Sequence, residues 1–507
     1  MQNVKETRVS LPLAGSTGGY IGQQVDPART INMYNSTING QQTPALIAFP
    51  GSSLEFTNPT GDQARNTFQT GNLLFAVFSD QLVVYNTDLL SSTSFTINTV
   101  VGVANFSGTN SQQVILVDGV DGWVYDFSGV PTFTQISDST FTSFNNPLDV
   151  AYLDGHIFVV FGSGNTWLLS NFEDAATYQP LNEAHITAAP NQFLTGVRVS
   201  SSRVYFFGTS ISEVWYPTEV ASTFPFKRDS NATISMGCAS NRSIAVGAIQ
   251  VKSLYRIFPD IENAVIWLGQ WPQGSPKVMM ASMGTSNTIS DFATEYKIQK
   301  MAVVNDAVGT LITINGHTFY ILTFPTENLS LLYDFDMKEW TELQMLDKSY
   351  YFVSCHAMFN NKHYVGSLKT ATLSEMRDEY SSNNGEAIHC VRTTSIFNLP
   401  SYERLSIPRF EVEMRAGTGN KTTTPINSAE YSDFNIDPQI YLSHSEDGGY
   451  HFSQQRPLST GAVGQPQWKV FWQGFPVSPR HVFRLETFNA TKTVFMNAFA
   501  QIQNMGY

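Results

Sequence analysis

Pairs of apolar or aromatic runs joined by short polar turns recur along this chain, and they constrain its fold more than any single residue does. Leu73 to Phe78, the turn Ser79-Asp80 and Leu82 to Tyr85 form the first such unit. Val114 to Val117 and Trp123 to Phe127 flank an Asp118 to Gly122 turn. Tyr152-Leu153, Asp154-Gly155 and His156 to Phe161 make a third, and Leu311 to Ile314, Asn315-Gly316 and His317 to Leu322 a fourth. Asp-Gly and Asn-Gly tolerate the positive φ that a two-residue hairpin turn requires, so each unit predicts an antiparallel hairpin. Repeated over most of the length, they predict an all-β protein.

At 507 residues the chain suggests about two to four domains unless a closed repeat architecture absorbs the length. Hairpins recur at irregular intervals from about residue 60 to about residue 365, which is the pattern of a β-propeller, with a series of two-sheet sandwiches as the alternative. No repeated Trp-Asp consensus accompanies them, so any repeat is structural rather than sequential. The expected organisation has four parts: an extended, turn-rich N-terminal arm over residues 1–50; a β-propeller over 51–367; a linker with a short helix over 368–388; and a smaller, sandwich-like C-terminal β domain over 389–507. Ser290-Asp291 opening the stretch Asn287 to Gln299 predicts a short capped helix inside the propeller. Leu368 to Tyr380 mixes charged and apolar residues at a loose helical period before the turn-forming Ser381 to Gly385.

Hydrophobic residues make up 42% of the chain and charged residues only 14%, against roughly 25% in ordinary soluble domains. So few solubilising charges suit a protein that works inside an assembly. The net charge of −13 and the absence of any basic run beyond Lys227-Arg228 exclude an ordinary nucleic-acid binder, because duplex affinity comes largely from Lys and Arg set against phosphates. Cys238, Cys355 and Cys390 are too widely spaced for a Cys-x-x-Cys site and are expected to be buried free thiols. The opening residues Met1 to Lys5 lack the apolar run of a signal peptide, and no stretch reaches the ~20 apolar residues of a membrane span. Sequons such as Asn105 and Asn489 therefore read as chance, and synthesis in a cytoplasm is expected.

Candidate chemistry is sparse. Ser445-Glu446-Asp447-Gly448-Gly449-Tyr450-His451-Phe452 fits the Asp-box pattern of sialidase-type propellers, a motif that shapes a hairpin turn and is structural even in those enzymes. Sialidase chemistry would also need three arginines converging on a carboxylate and a Tyr-Glu pair. The nine histidines do not cluster in sequence, and His444 and His451 lie seven apart, so zinc spacing is absent. Gly162-Ser163-Gly164 leads to a strand rather than a helix and reads as a turn, not a phosphate cradle. Glu173-Asp174 reads as a solvated loop pair whose side chains diverge. Tyr205-Phe206-Phe207 and Trp468, Phe471 and Trp472 read as packing between blades or subunits. No catalytic, cofactor-binding or metal-binding residue is assigned.

Read in order, longer segments resemble the tail hub of short-tailed phages, the packaged-DNA stabilisation family. The resemblance begins with Ile31-Asn32-Met33-Tyr34 and Phe49-Pro50-Gly51. It continues through Ser170 to Asp174, Tyr205 to Gly208, Ser212 to Trp215, Gly237-Cys238-Ala239, Ser243-Ile244-Ala245 and Val265 to Gly269. Thr288-Ile289-Ser290 with Glu295, His317 to Tyr320, Pro325, Tyr333-Asp334-Phe335 and Glu339-Trp340 follow, and Leu442 to Gly449 resembles the family's last domain. It implies a non-enzymatic virion protein without cofactors, a homohexameric ring of propellers below the portal-adaptor ring. Such a ring retains packaged DNA, passes duplex DNA without reading sequence, receives a needle or plug, and carries spikes or fibres. The C-terminal region is longer than the family pattern, with an insertion near Thr418 to Asp437. If the arm reaches a neighbouring ring, deleting residues 1–45 should leave a folded propeller. Two other functions fit the residues: a glycan-binding or sialidase-like tail propeller, and a cellular scaffold that binds peptides.

Overall fold

The computed structural model describes residues 7–18, 26–37, 44–59, 61–86, 91–189, 191–218, 224–251, 260–399, 403–415, 438–461, 469–489 and 491–505. The insertion expected near 418–437 and Trp468 lie outside them. Within them the chain is all-β apart from a few short helical turns.

Eight sheets form, and seven follow one another along the chain. Sheet one is Ala64–Thr70, Leu73–Phe78, Gln81–Asn86 and Ser91–Thr96; sheet two is Asn105–Gly108, Gln113–Val117, Gly122–Asp126 and Thr132–Gln135. Sheet three runs Pro147–Leu153, His156–Phe161, Thr166–Asn171 and Asp174–His185, and sheet four Leu194–Ser200, Arg203–Gly208, Ser212–Pro217 and Phe226–Arg228. Sheet five is Ala245–Val251, Asp260–Trp271, Gly274–Ser282 and Thr285–Thr288, with Gly237–Cys238 alongside. Val308–Ile314, His317–Phe324, Leu329–Asp334 and Glu339–Leu343 make sheet six. Val353–Phe359, Lys362–Ser367 and Thr372–Arg377 make sheet seven, completed by the distant strand Gly51–Thr57. The first strand of each sheet lies against the first strand of the next, and that of sheet seven lies against that of sheet one. The arrangement is propeller-like.

The sequence runs explain the packing. In Leu73–Phe78, Phe75 and Val77 join the core shared with sheet two, while Leu74, Ala76 and Phe78 join the core shared with sheet seven. His156–Phe161 divides likewise: Ile157, Val159 and Phe161 face sheet two, Phe158 and Val160 face sheet four. Both faces of such strands are covered, which is why these runs are continuously apolar rather than alternating. Each fully buried Phe, Leu or Val contributes roughly 1.5–3 kcal/mol. The turns behave as their residues require, with Asp154 and Gly155 at φ 48° and 82° and Asn315 and Gly316 at 57° and 77°. A repeat invisible in sequence also appears: the first hairpin of sheets one, three, four and seven carries a register shift near its start, at Ala64/Asn66, Pro147/Asp149, Leu194/Gly196 and Val353/Cys355. Bulges of this kind sharpen twist and redirect a side chain.

The helix expected near 287–299 forms over Phe292–Gln299, capped by Asp291, whose carboxylate accepts the Thr294 amide at 2.7 Å. The linker helix expected over 368–388 does not form. Thr372–Arg377 is instead the third strand of sheet seven. The loose helical period over Leu368 to Tyr380 misleads because residues three apart, such as Leu373 and Met376, share a helical face but take opposite faces of a strand. Leu373 packs into the core with sheet one and Met376 into the core with sheet six. Glu375 between them is buried and held by Lys362 at 3.0 Å and Arg377 at 3.4 Å.

The extended arm expected over residues 1–50 is replaced by strands. Thr7–Leu11 pairs with Val494–Asn504; Met33–Ser36 and Ala45–Ala48 form a hairpin added to that same strand. Arg29–Ile31 lies between Glu339–Leu343 of sheet six and Cys390–Thr393, joining sheet six to the C-terminal strands Val482–Thr487, Gln439–Ser445 and Arg456–Ser459 in one nine-stranded sheet. In the eighth sheet Leu405–Met414 lies between Val494–Asn504 and Lys469–Gln473. The arm is not free because its apolar residues are used: Leu11, Leu13, Met33 and Leu46 are buried with Phe410, Ile440, Phe483 and Phe495. Phe410 and Phe483 stack across that core at 4.2 Å. Gly51, expected to end the arm, opens the strand that completes sheet seven. A Cβ there would meet the Ser382 and Tyr380 carbonyl oxygens at 2.4 and 2.7 Å, so only glycine fits.

Candidate functional site

The residues singled out in the sequence take structural positions. The Asp-box turn joins Gln439–Ser445 to Arg456–Ser459. Ser445 Oγ donates to Asp447 Oδ1 at 2.6 Å, and Asp447 accepts the amides of Tyr450 and His451. The Ser445 hydroxyl and then these amides hold the Asp447 carboxyl well below the usual carboxylate range. Arg484 lies 3.6 Å above the Phe452 ring, and Gly448 and Gly449 take positive φ. The Asp447 carboxylate is thus spent on the turn itself.

Glu173 and Asp174 diverge, as adjacent residues must. Glu173 accepts from Tyr152 Oη at 2.5 Å and from the Ser111 amide at 3.1 Å, tying sheet three to sheet two. Asp174 closes its own turn through Ala176 N and Thr177 Oγ1. Tyr205, Phe206 and Phe207 are fully buried, divided between the cores on either side of sheet four. Trp472 is buried and Phe471 half-exposed beneath the Arg409 guanidinium at 3.8 Å. Gly162-Ser163-Gly164 is a turn between two strands of sheet three. Arg228 reaches Glu213 at 3.7 Å and Thr187 at 3.0 Å, so the Lys227-Arg228 pair is no basic patch. Cys238, Cys355 and Cys390 are each buried, and burial pushes the Cys238 and Cys390 thiols up to about 12.

Two histidine arrangements escaped sequence spacing because they form across strands. His356 Nε2 and His363 Nδ1 lie 3.0 Å apart on neighbouring strands. Burial, then the proximity of His363, pushes His356 down to about 3, so it is uncharged near neutral pH. His317, Asp334 and Asp336 also bring three metal-capable atoms together. Each is already engaged: His317 Nδ1 with Asp334 Oδ2 at 2.8 Å, its Nε2 with Ser36 Oγ at 3.0 Å, Asp334 Oδ1 with the Asp336 amide, and Asp336 Oδ2 with the Thr318 amide. The group is a hydrogen-bonded turn.

At the centre of the seven sheets lies a cavity of about 420 Å³ lined by their first strands. Sequence reasoning did not connect its three arginines, Arg65, Arg198 and Arg242, which are far apart in the chain and share no local motif. Arg65 is buried and spends its guanidinium on backbone carbonyls of Ser79, Thr99, Gly102, Val103 and Asp118. Arg198 Nη1 pairs with Asp149, a carboxylate sealed from solvent that also accepts the Val197 amide at 2.9 Å and Asn241 Nδ2 at 3.0 Å. No Tyr, Asp or Glu lines the cavity among the described residues. The arrangement offers positive charge without a lining carboxylate or phenol.

A second polar cluster holds the N-terminal strands to sheet six. Glu342, buried, accepts from Arg29 Nε and Nη2 at 2.9 and 2.7 Å and from Lys297 Nζ at 2.8 Å. Burial alone would raise its pKa, but Lys297 and Arg29 together hold it below the ordinary value. A carboxyl depressed on folding contributes stability above its unfolded pKa of about 4.3 and loses it as pH falls through the folded value. Wild type and Glu342→Gln should therefore differ in Tm at pH 7 and converge as the pH drops below about 4, measured by thermal melts across pH. A constant gap down to pH 3 would contradict the assignment. Nearby, buried Arg392 donates to Thr30 Oγ1 at 2.7 Å and Gly15 O at 3.2 Å.

Comparison with known proteins gives one family match. The family described as "Bacteriophage P22 Gp10, beta-propeller" matches residues 31–381, a span that begins in the Arg29–Ile31 strand and takes in all seven sheets of the cycle. No curated protein matches the chain. Solved structures similar to it include the Pan2 WD40 domain of Neurospora crassa, 12% identical, covering 62% of this chain and 89% of that one with a TM-score of 0.38. The computationally designed Ika8 protein is 11% identical, with 64% and 100% covered and a TM-score of 0.39. A catalytically inactive virginiamycin B lyase from Staphylococcus aureus is 9% identical, with 64% and 99% covered and a TM-score of 0.41. At these scores the three carry no argument. The family match does: the chain belongs to the phage stabilisation family of P22 Gp10, non-enzymatic structural proteins of the phage tail.

Proposed function

We propose that this chain is one subunit of the hub that completes a short phage tail, retaining packaged DNA and forming part of its exit path. The family match over residues 31–381 carries the reading. In its finer form, the seven sheets close as a seven-bladed propeller. The first strands contacting in a cycle and the core shared by sheets seven and one support closure. The strand Gly51–Thr57 is the clasp, since it brings the chain's beginning to the last sheet. The domain organisation becomes a propeller over 51–377 and a two-sheet body formed by the C-terminal strands with those of residues 7–48.

In the tail, six copies surround the axis beneath the portal-adaptor ring, with a needle or plug below and spikes or fibres at the rim, assembled in the bacterial cytoplasm. DNA runs between the subunits rather than through each one. A 420 Å³ cavity cannot pass a duplex whose major groove alone is about 12 Å wide. Low charge favours repeated heterologous contacts around such an axis. The glycan reading has no support, because the central arginines face no carboxylate–tyrosine pair. Among the described residues no helix is long and apolar enough to cross a membrane.

The test is electron microscopy of virions combined with the particle mass of the purified protein. Sixfold density for this chain on the tail axis is expected. Density away from the axis, or turnover of polysaccharide by the purified protein, would refute the reading.

A further inference from the structure

Burying a cation is expensive unless an anion or several acceptors meet it. Arg65 satisfies that rule with its ring of carbonyls, and Arg198 partly does, through Asp149. Arg242 does not. It stands on the turn Asn241–Ser243 just before the first strand of sheet five, and its Nη2 reaches only the Arg65 carbonyl at 3.3 Å. Among the described residues no carboxylate pairs with it, and burial holds its pKa below the ordinary value. It is half-buried and borders both the central cavity and the funnel that opens outward beside Asn305 and Tyr350. The Nε and Nη2 of Arg198, on the same cavity wall, have no protein acceptor among the described residues. Two guanidinium groups with unspent donors thus line one central cavity that no acidic side chain lines, Asp306 lying in the adjoining funnel. His356 on the same wall is neutral and adds no repulsion.

We propose that the central cavity is a binding site for a phosphate-class oxyanion, held by Arg242 and Arg198. Planar guanidinium forks match the oxygens of phosphate in paired hydrogen bonds. The volume of about 420 Å³ is within the range of small-ligand pockets and leaves room for a substituent, so free phosphate and a phosphate monoester both fit the chemistry. The site is independent of the tail-hub reading, and its failure would leave that reading intact.

The purified full chain is melted in sodium phosphate and in sodium chloride of equal ionic strength, with a third arm containing a nucleoside 5′-monophosphate. Phosphate is expected to raise Tm by about 2–4 °C over chloride, and Arg242→Gln to lose that rise while folding normally in chloride. Arg242→Lys, which keeps charge but not the fork, should bind about tenfold more weakly. A larger rise with the monophosphate identifies an esterified phosphate as the better ligand; an equal or smaller one identifies the free ion. Should the variants misfold, phenylglyoxal modification of the wild type mapped by mass spectrometry decides: phosphate should protect Arg242. Identical melts in phosphate and chloride, a rise that survives Arg242→Gln, or unprotected Arg242 would overturn the site.

Discussion

Arg65→Met is expected to lower the unfolding free energy by about 3–5 kcal/mol, measured by chemical denaturation. The side chain is 2% exposed. Its Nη1 donates to Ser79 O at 2.8 Å and Thr99 O at 2.7 Å, and its other nitrogens reach Gly102, Val103 and Asp118 carbonyls. Those carbonyls belong to the hairpin turn of sheet one, the crossing to sheet two, and the hairpin turn of sheet two. Methionine fills much of the same volume, so the expected loss comes from orphaned acceptors rather than a cavity. Each buried carbonyl left without a donor costs about 1–3 kcal/mol, and loop relaxation to water keeps the total below the sum. Burial above all, with the Arg242 charge adding to it and Asp118 opposing it, pulls the Arg65 pKa down to about 10, so the charge persists at neutral pH and the effect should be flat between pH 6 and 8. A variant within about 1 kcal/mol of wild type would show that the loops keep their shape without the arginine.

Removing residues 1–36 is expected to undo the C-terminal sheets. Leu11, Leu13 and Met33 are buried in the core between those sheets. At roughly 1.5–3 kcal/mol each, their loss amounts to roughly 5–9 kcal/mol, comparable with the whole net stability of a domain. The same truncation removes Arg29–Ile31, the strand that joins sheet six to Cys390–Thr393. Limited proteolysis should then cut beyond residue 390, and a hydrophobic dye should bind. A detached arm would give the opposite result: an unchanged melt and no new cleavage.

These two variants also mark where the sequence is legible. Hairpins with local partners can be read directly, because Asp154-Gly155 and Asn315-Gly316 specify their own backbone. The long apolar runs of sheets one, three and six likewise announce strands covered on both faces. Partners far apart in the chain leave no local trace. Nothing around Thr7 or Ala45 points to Val494–Asn504, and nothing around Gly51 points to Thr372–Arg377. The misread helix at 372–377 has a related cause, since apolar residues three apart fit one helical face or two strand faces equally well. The central arginines were hidden for the same reason. Each sits at the start of a different sheet, and only the cycle of first strands gathers them.

The order in which these partners emerge has a consequence for synthesis. Thr7–Leu11 hydrogen-bonds to Val494–Asn504, a strand made long after it. Gly51–Thr57 must wait for Thr372–Arg377 before the seventh sheet is whole. A nascent fragment that stops short of Val494 therefore lacks the partner of Thr7–Leu11, and one that stops short of Thr372 lacks the partner of Gly51–Thr57. Translation products cut short before those later strands lack the sheets that they complete.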